Sequence, residues 1–127
     1  MNATFTKIVG FLLALILIVF GLHKFFQFGF LPQPELPQEA SSFMNSLSAT
    51  GYVLPFLGFL EVLIGLLLLL RKWVAFALLL LAPISLNILL FHLFLNISDI
   101  LPAIIIVLLN TILIYKYWKA YRPIFKY

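Results

Sequence analysis

Six polar side chains stand within or at the edge of long apolar stretches: His23, Lys24, Glu61, Asn87, His92 and Asn110. A carboxylate at the centre of a membrane helix costs about 2.5–3.5 kcal/mol on insertion scales, so Glu61 marks a place where polarity is retained against a penalty. It has the chemistry to pair with a cation or to exchange a proton. Lys24, Asn87, His92 and Asn110 have the chemistry to donate hydrogen bonds to a carbonyl-bearing head such as a quinone. Counted inward from Tyr52, Leu95 and Ile100, residues Glu61, Asn87 and Asn110 lie about 9, 8 and 10 residues deep, nearly one level at ~1.5 Å per residue. His23, Lys24 and His92 form a second layer closer to the same surface, and together these residues suggest a polar pocket or funnel opening outward. On an ideal helix Asn87 and His92 point about 140° apart. Both face one bundle only if their helix sits between two neighbours or bends, and Pro83 supplies a place for a bend.

Plain structural roles compete at each position. Glu61, Asn87 and Asn110 can act as hydrogen-bonding glue between helices, Lys24 can extend to the headgroups, and the histidines can bond at the interface. A haem held by His23 and His92 is the weakest option, resting on two isolated histidines. The depth count puts Lys24 about 10 Å above Glu61, a gap that a lysine stem and tilted helices could close, while the asparagines share the carboxylate's level and are its nearer expected partners.

The elements that must position these residues are membrane helices. About 20 mostly apolar residues are needed to cross a bilayer core. Four stretches qualify: Ile8 to Phe26, Tyr52 to Leu70, Trp73 to Leu95 and Ile100 to Trp118. The expected fold is an all-α membrane protein, one domain over residues 1–127, a four-transmembrane-helix bundle. The first stretch is read as a retained helix rather than a signal peptide, because no small-residue cleavage site follows it.

Lys7, Arg71, Lys72, Lys116, Lys119, Arg122 and Lys126 fall on one side of the expected membrane, against Lys24 alone on the other. That asymmetry predicts both termini in the cytoplasm, with Trp73, Tyr115, Tyr117, Trp118 and Tyr121 as an inner aromatic belt. The first outer connection is long and opens with Pro32, Pro34 and Pro37. Beyond them Ala40, Phe43, Met44 and Leu47 recur at helical spacing opposite Ser41, Ser42 and Asn45, which predicts a short interfacial helix over residues 37–49, ended by Gly51. Asp99 is the expected N-cap of the last span, with Pro102 in its first turn. The glycines Gly58 and Gly65 are expected to allow close helix contact, although no GxxxG spacing occurs. The Asn96-Ile97-Ser98 sequon lies against the expected membrane surface and carries little weight.

Composition narrows the function classes. Of 127 residues 65% are hydrophobic and 9% charged, against about 25% charged in soluble domains. The absence of cysteine removes disulfides, thiolate metal sites and thiol relays. The net charge of +4 gathers at helix ends, which fits membrane topology and not a nucleic-acid surface. No nucleophile–base set, phosphate loop or metal motif occurs, so catalysis is expected at most as a subunit of a membrane oxidoreductase. Four helices without an internal repeat lack the two halves of a rocking transporter, unless a homo-oligomer supplies the second half.

Several of these residues together resemble the DoxX family of small bacterial membrane proteins. The resemblance is carried by Gly21-Leu22-His23-Lys24 closing the first span, and by the long loop leading to Thr50-Gly51. It continues in Gly58-Phe59-Leu60-Glu61 with Gly65 and in the leucine run ending at a basic turn. The stretch from Pro83 to Asn87 and Phe91-His92-Leu93-Phe94-Leu95 are similar to a DoxX-related subgroup. The resemblance implies a four-helix bundle in the bacterial inner membrane, with Glu61 and Lys24 at the family's polar positions. It also implies links to quinone-coupled oxidation, to stress complexes with soluble enzymes, or to assisting the assembly of membrane receptors. The leading expectation is an accessory membrane protein that binds a lipophilic molecule, a quinone or a lipid, in the outward pocket. The competing one is an assembly factor that binds helices of partner membrane proteins.

Overall fold

The computed structural model describes residues 3–26 and 36–126. Among them the long helices are α1 (Ala3–Phe26), α3 (Val53–Leu70), α4 (Val74–Leu95) and α5 (Leu101–Lys116), with a shorter α2 (Gln38–Ala49) after the first. The chain then turns through α6 (Trp118–Tyr121) and a 3-10 turn at Arg122–Phe125. The proline-rich opening of the long connection, with Pro32, Pro34 and Glu35, lies outside the described residues.

Among the described residues, three helical stretches are long and apolar enough to cross a membrane: Ala3–Lys24, Val53–Leu70 and Val74–Leu95. A fourth qualifies only when Leu101–Lys116 is taken with Trp118–Phe125, a pair bent by 75°. Helices of this length and apolarity are those of a multi-pass membrane protein. The fourth stretch is thus shorter than the hydropathy pattern predicts. The reason lies past Tyr117, where the buried Tyr121 hydroxyl donates to the Ala75 carbonyl at 2.7 Å and folds the segment across the end of the bundle. Tyr121 is therefore not part of an exposed aromatic belt, whereas Trp73, Tyr115 and Trp118 are exposed.

α1 packs most extensively on α3 and α4 on α5, and further contacts of α1 with α5 and α3 with α4 close the ring. The core is apolar and runs through Val9, Leu13 and Leu17 of α1, Ile64 and Leu68 of α3, Leu78 and Leu81 of α4, and Ile106 and Leu113 of α5. These recur three, four or seven residues apart, the spacing of a single helix face. Large apolar residues such as Phe11, Phe59, Leu86 and Leu108 cover the outside, so the helices are hydrophobic all round.

Small residues set the approach of α1 to α3. A Cβ added at Gly21 would lie 2.9 Å from the Gly58 carbonyl oxygen, and one at Gly65 would lie 3.0 Å from that of Ala14. Ala14 and Gly21 are seven residues apart, as are Gly58 and Gly65, so two antiparallel helices meet twice along a heptad-spaced seam. This is the close contact expected of the two α3 glycines, achieved without a GxxxG motif.

The turns are specific. α2 ends where Gly51 takes φ +80°, and the Thr50 hydroxyl donates to Leu47 while accepting from the Val53 amide at 3.2 Å, tying α2 to α3. The α3–α4 turn has Lys72 donating to the Leu67 carbonyl and Arg71 to that of Leu68, a Schellman closure with Arg71 (φ 60°) where glycine is usual. Asp99 does not cap α5. Its carboxylate accepts instead from the Asn96 amide at 3.1 Å, and Ile100 occupies the capping position with Pro102 in the first turn as expected. Asn96 is 2% exposed, which withdraws the sequon's asparagine from modification.

Candidate functional site

Glu61 lies three residues beyond Gly58 on α3, and Lys24 three beyond Gly21 on α1, so each sits on the same helix face as its glycine. Where the glycines let the backbones touch, the side chains meet: Lys24 Nζ donates to Glu61 Oε2 at 3.0 Å. The Glu61 side chain is 3% exposed and that of Lys24 25%. A direct pair therefore forms where the depth count favours the asparagines. That count assumes helices whose outer ends are level. In the structure the Cβ site of Gly21 lies 3.1 Å from the Glu61 Cβ, so the outer end of α1 stops short of that of α3 and Lys24 needs to reach only about one turn.

The pair borders a cavity of about 410 Å³ to which all five helices α1–α5 contribute. Glu61 and Lys24 are on one side, Asn87 and His92 of α4 on another, and Phe43, Met44 and Leu47 of α2 lie over it. The apolar face read as interfacial from its spacing is thus the face that α2 turns to the cavity. Phe43 is anchored against Phe91, with ring centroids 5.7 Å apart. Asn87 and His92, 140° apart on an ideal helix, both reach the cavity because α4 is flanked by α3 and α5. Asn87 is exposed into this space, and its amide makes no hydrogen bond among the described residues. His92 donates through Nδ1 to the Asn96 carbonyl at 3.3 Å, which leaves Nε2 as an acceptor in the neutral ring.

Two expected members are placed elsewhere. Asn110 is 3% exposed and belongs to the α4–α5 interface, where its amide donates to the Leu78 carbonyl at 3.2 Å. Its Oδ1 accepts from the Ser85 hydroxyl at 3.1 Å. Ser85 shares its one proton with the Ala82 carbonyl at 3.0 Å, so this small network is complete and holds two helices together. His23 is half-buried and has an interaction of its own, but it does not line the cavity. Of the two histidines, only His92 lines the cavity. No group of three or more metal-ligating side chains occurs among the described residues.

Ser85 and Asn96 are not legible in the sequence as polar anchors. A serine within an apolar helix carries no directional signal, and Asn96 reads as a plain loop residue. A pairing rule of one buried amide per partner hydroxyl would point from Asn110 to Ser85, the one hydroxyl residue of α4.

Chemically, the cavity offers an apolar volume in the size range of small-ligand sites, with an ion pair at one wall and an amide and an imidazole at another. No family model, no curated protein and no solved structure matches this chain.

Proposed function

We propose that the protein is a DoxX-like membrane protein of four spans, with both termini cytoplasmic, that binds a lipophilic molecule with a hydrogen-bonding head in the cavity beneath α2. The observation that carries this reading is the joint placement of Glu61, Lys24, Asn87 and His92 around one mostly apolar space. A quinone suits it: the ring and tail occupy the apolar volume, while Asn87 and Lys24 donate to the carbonyl oxygens. Glu61 holds Lys24 in place and stands ready as a proton exchanger during reduction. The protein serves membrane redox or stress chemistry as an accessory subunit, and its partner supplies the electrons.

The bacterial inner membrane and the inward termini follow from the seven-to-one distribution of basic residues and from the DoxX resemblance. Reporters fused at both ends test the topology, and an external signal from either one overturns it.

The decisive experiment is purification from native membranes in mild detergent, followed by extraction and identification of bound small molecules. A quinone retained near stoichiometry, and displaced by a soluble short-chain quinone, is the expected result. A stoichiometric membrane-protein partner with no retained small molecule overturns the proposal in favour of an assembly factor.

A further inference from the structure

The opposite end of the bundle carries a second cavity of about 540 Å³, between α1, α3 and α5. Its rim holds Lys7 of α1, Arg71 at the end of α3 and Lys116 at the end of α5. No Asp or Glu is among its lining residues, and the described acids lie away from it: Glu39 on α2, Glu61 beside the first cavity and Asp99 before α5. Below this cationic rim the walls are apolar, formed by residues such as Phe11, Leu69 and Leu113.

Gly10 supplies a second, independent observation. A glycine inside a helix is costly, and at Gly21 and Gly65 the cost is explained by backbone contact with the neighbouring helix. Gly10 has no such explanation. A Cβ built there meets nothing within 4 Å, and the residue lines the cavity one turn below Lys7. The missing side chain widens a slot that leads from the cations into the apolar floor.

We infer that this cleft is a binding site for one anionic phospholipid, its phosphate held by Lys7 and Arg71 and an acyl chain lying in the slot over Gly10. Basic pockets between membrane helices hold acidic headgroups by charge and hydrogen bonding, and an apolar floor selects a lipid over a soluble anion. Lys7 on α1 and Arg71 at the end of α3 come from different helices, so a lipid bound to both also clamps the bundle's basic end, where Lys116 has an interaction of its own. The site is independent of the quinone reading, since it shares no residue with the first cavity.

The test uses delipidated full-length protein in neutral detergent. Phosphatidylglycerol, phosphatidylcholine with the same acyl chains, and inorganic phosphate are each titrated while melting and lipid retention by native mass spectrometry are followed. Phosphatidylglycerol is expected to bind at least tenfold more tightly than phosphatidylcholine, with inorganic phosphate giving no comparable stabilisation. Lys7→Gln and Arg71→Gln should each weaken phosphatidylglycerol about fivefold, the fold-change equivalent to the contribution of one basic residue near an acidic surface. Gly10→Leu should fill the slot and lower retention of both lipids while the lipid-free melting temperature holds. Equal binding of the two lipids, equal protection by phosphate, or charge variants that retain phosphatidylglycerol like wild type each overturn the inference. Should Gly10→Leu disturb the lipid-free fold, the two charge variants decide the matter alone.

Discussion

Lys24 and Glu61 are linked so that removing the cation leaves a buried carboxylate uncompensated in an apolar surround. Replacing Lys24 by Met leaves a carboxylate that is 3% exposed without its cation. Breaking such a pair from one side costs roughly 3–5 kcal/mol, whereas replacing both partners by well-fitting neutral groups is often close to neutral. Lys24→Met is therefore expected to lower detergent stability markedly, and Lys24→Met/Glu61→Gln to recover most of the loss. Glu61→Gln alone keeps an acceptor for the Lys24 ammonium, so it should fold, retain the lipophilic ligand and lose only proton-dependent activity. Leu66→Ala, on the exposed side of the same helix, serves as the control. A purely structural pair would show the stability coupling with ligand retention unchanged in every variant. If the three variants match wild type in stability, retention and activity, the pair is neither anchor nor site.

At the scale of elements, the same substitution should act in opposite directions at two positions of α1. Gly10→Ala removes a helix-interior glycine where space is open, and should stabilise lipid-free protein by up to about 1 kcal/mol. Gly21→Ala places a methyl 2.9 Å from the Gly58 carbonyl oxygen and 2.8 Å from a Val62 methyl, so α1 and α3 must separate. Overpacking of this kind costs typically about 1–3 kcal/mol, and it should loosen the Lys24–Glu61 pair as well. Chemical denaturation of both variants checks the contrast, and equal signs would contradict the seam. The helices themselves are legible in the sequence, because apolar runs, the Arg71-Lys72 turn and the two-sided pattern of α2 are local signals. The lengthwise offset of α1 against α3 is not, because hydropathy gives each helix its own ends and says nothing of their relative height. For that reason Asn110 reads as a neighbour of Glu61, when its rotation about α5 turns it toward Ser85. The cavity's polar members are readable as residue types at a depth. Their sorting into a cavity set and an interface set depends on helix rotation, which nearly uniform apolar surroundings leave unmarked.

Viewed whole, the molecule is divided by charge and by opening. One end holds α2, the ion pair and the first cavity, and the other holds the exposed basic residues and the second. The tight seam couples α1 to α3, elements separated in the chain by the long connection, while α4 and α5 follow each other directly. With α2 over one cavity and a cationic rim on the other, the two proposals assign the ends different ligands, one apolar with a polar head and one acidic.

The turn past Tyr117 has a consequence for the thickness of the surrounding bilayer. α5 has 16 residues and α1 has 24, or about 24 Å and 36 Å of rise. A typical hydrocarbon core of about 30 Å exceeds the rise of α5, whereas the length of α1 beyond its apolar centre carries Lys7 at one end and Lys24 at the other. In the proposed four-span bundle α5 cannot make up its deficit by tilting, so the lipids along it are expected to thin. The protein should therefore melt at a higher temperature in bilayers of shorter acyl chains than in long-chain ones of the same headgroup. A melting temperature that rises steadily with chain length would show that α5 and the segment beyond the bend straighten into one longer helix. On that four-span reading the neighbourhood of α5 is a thin spot, where short-chain lipids are expected to gather.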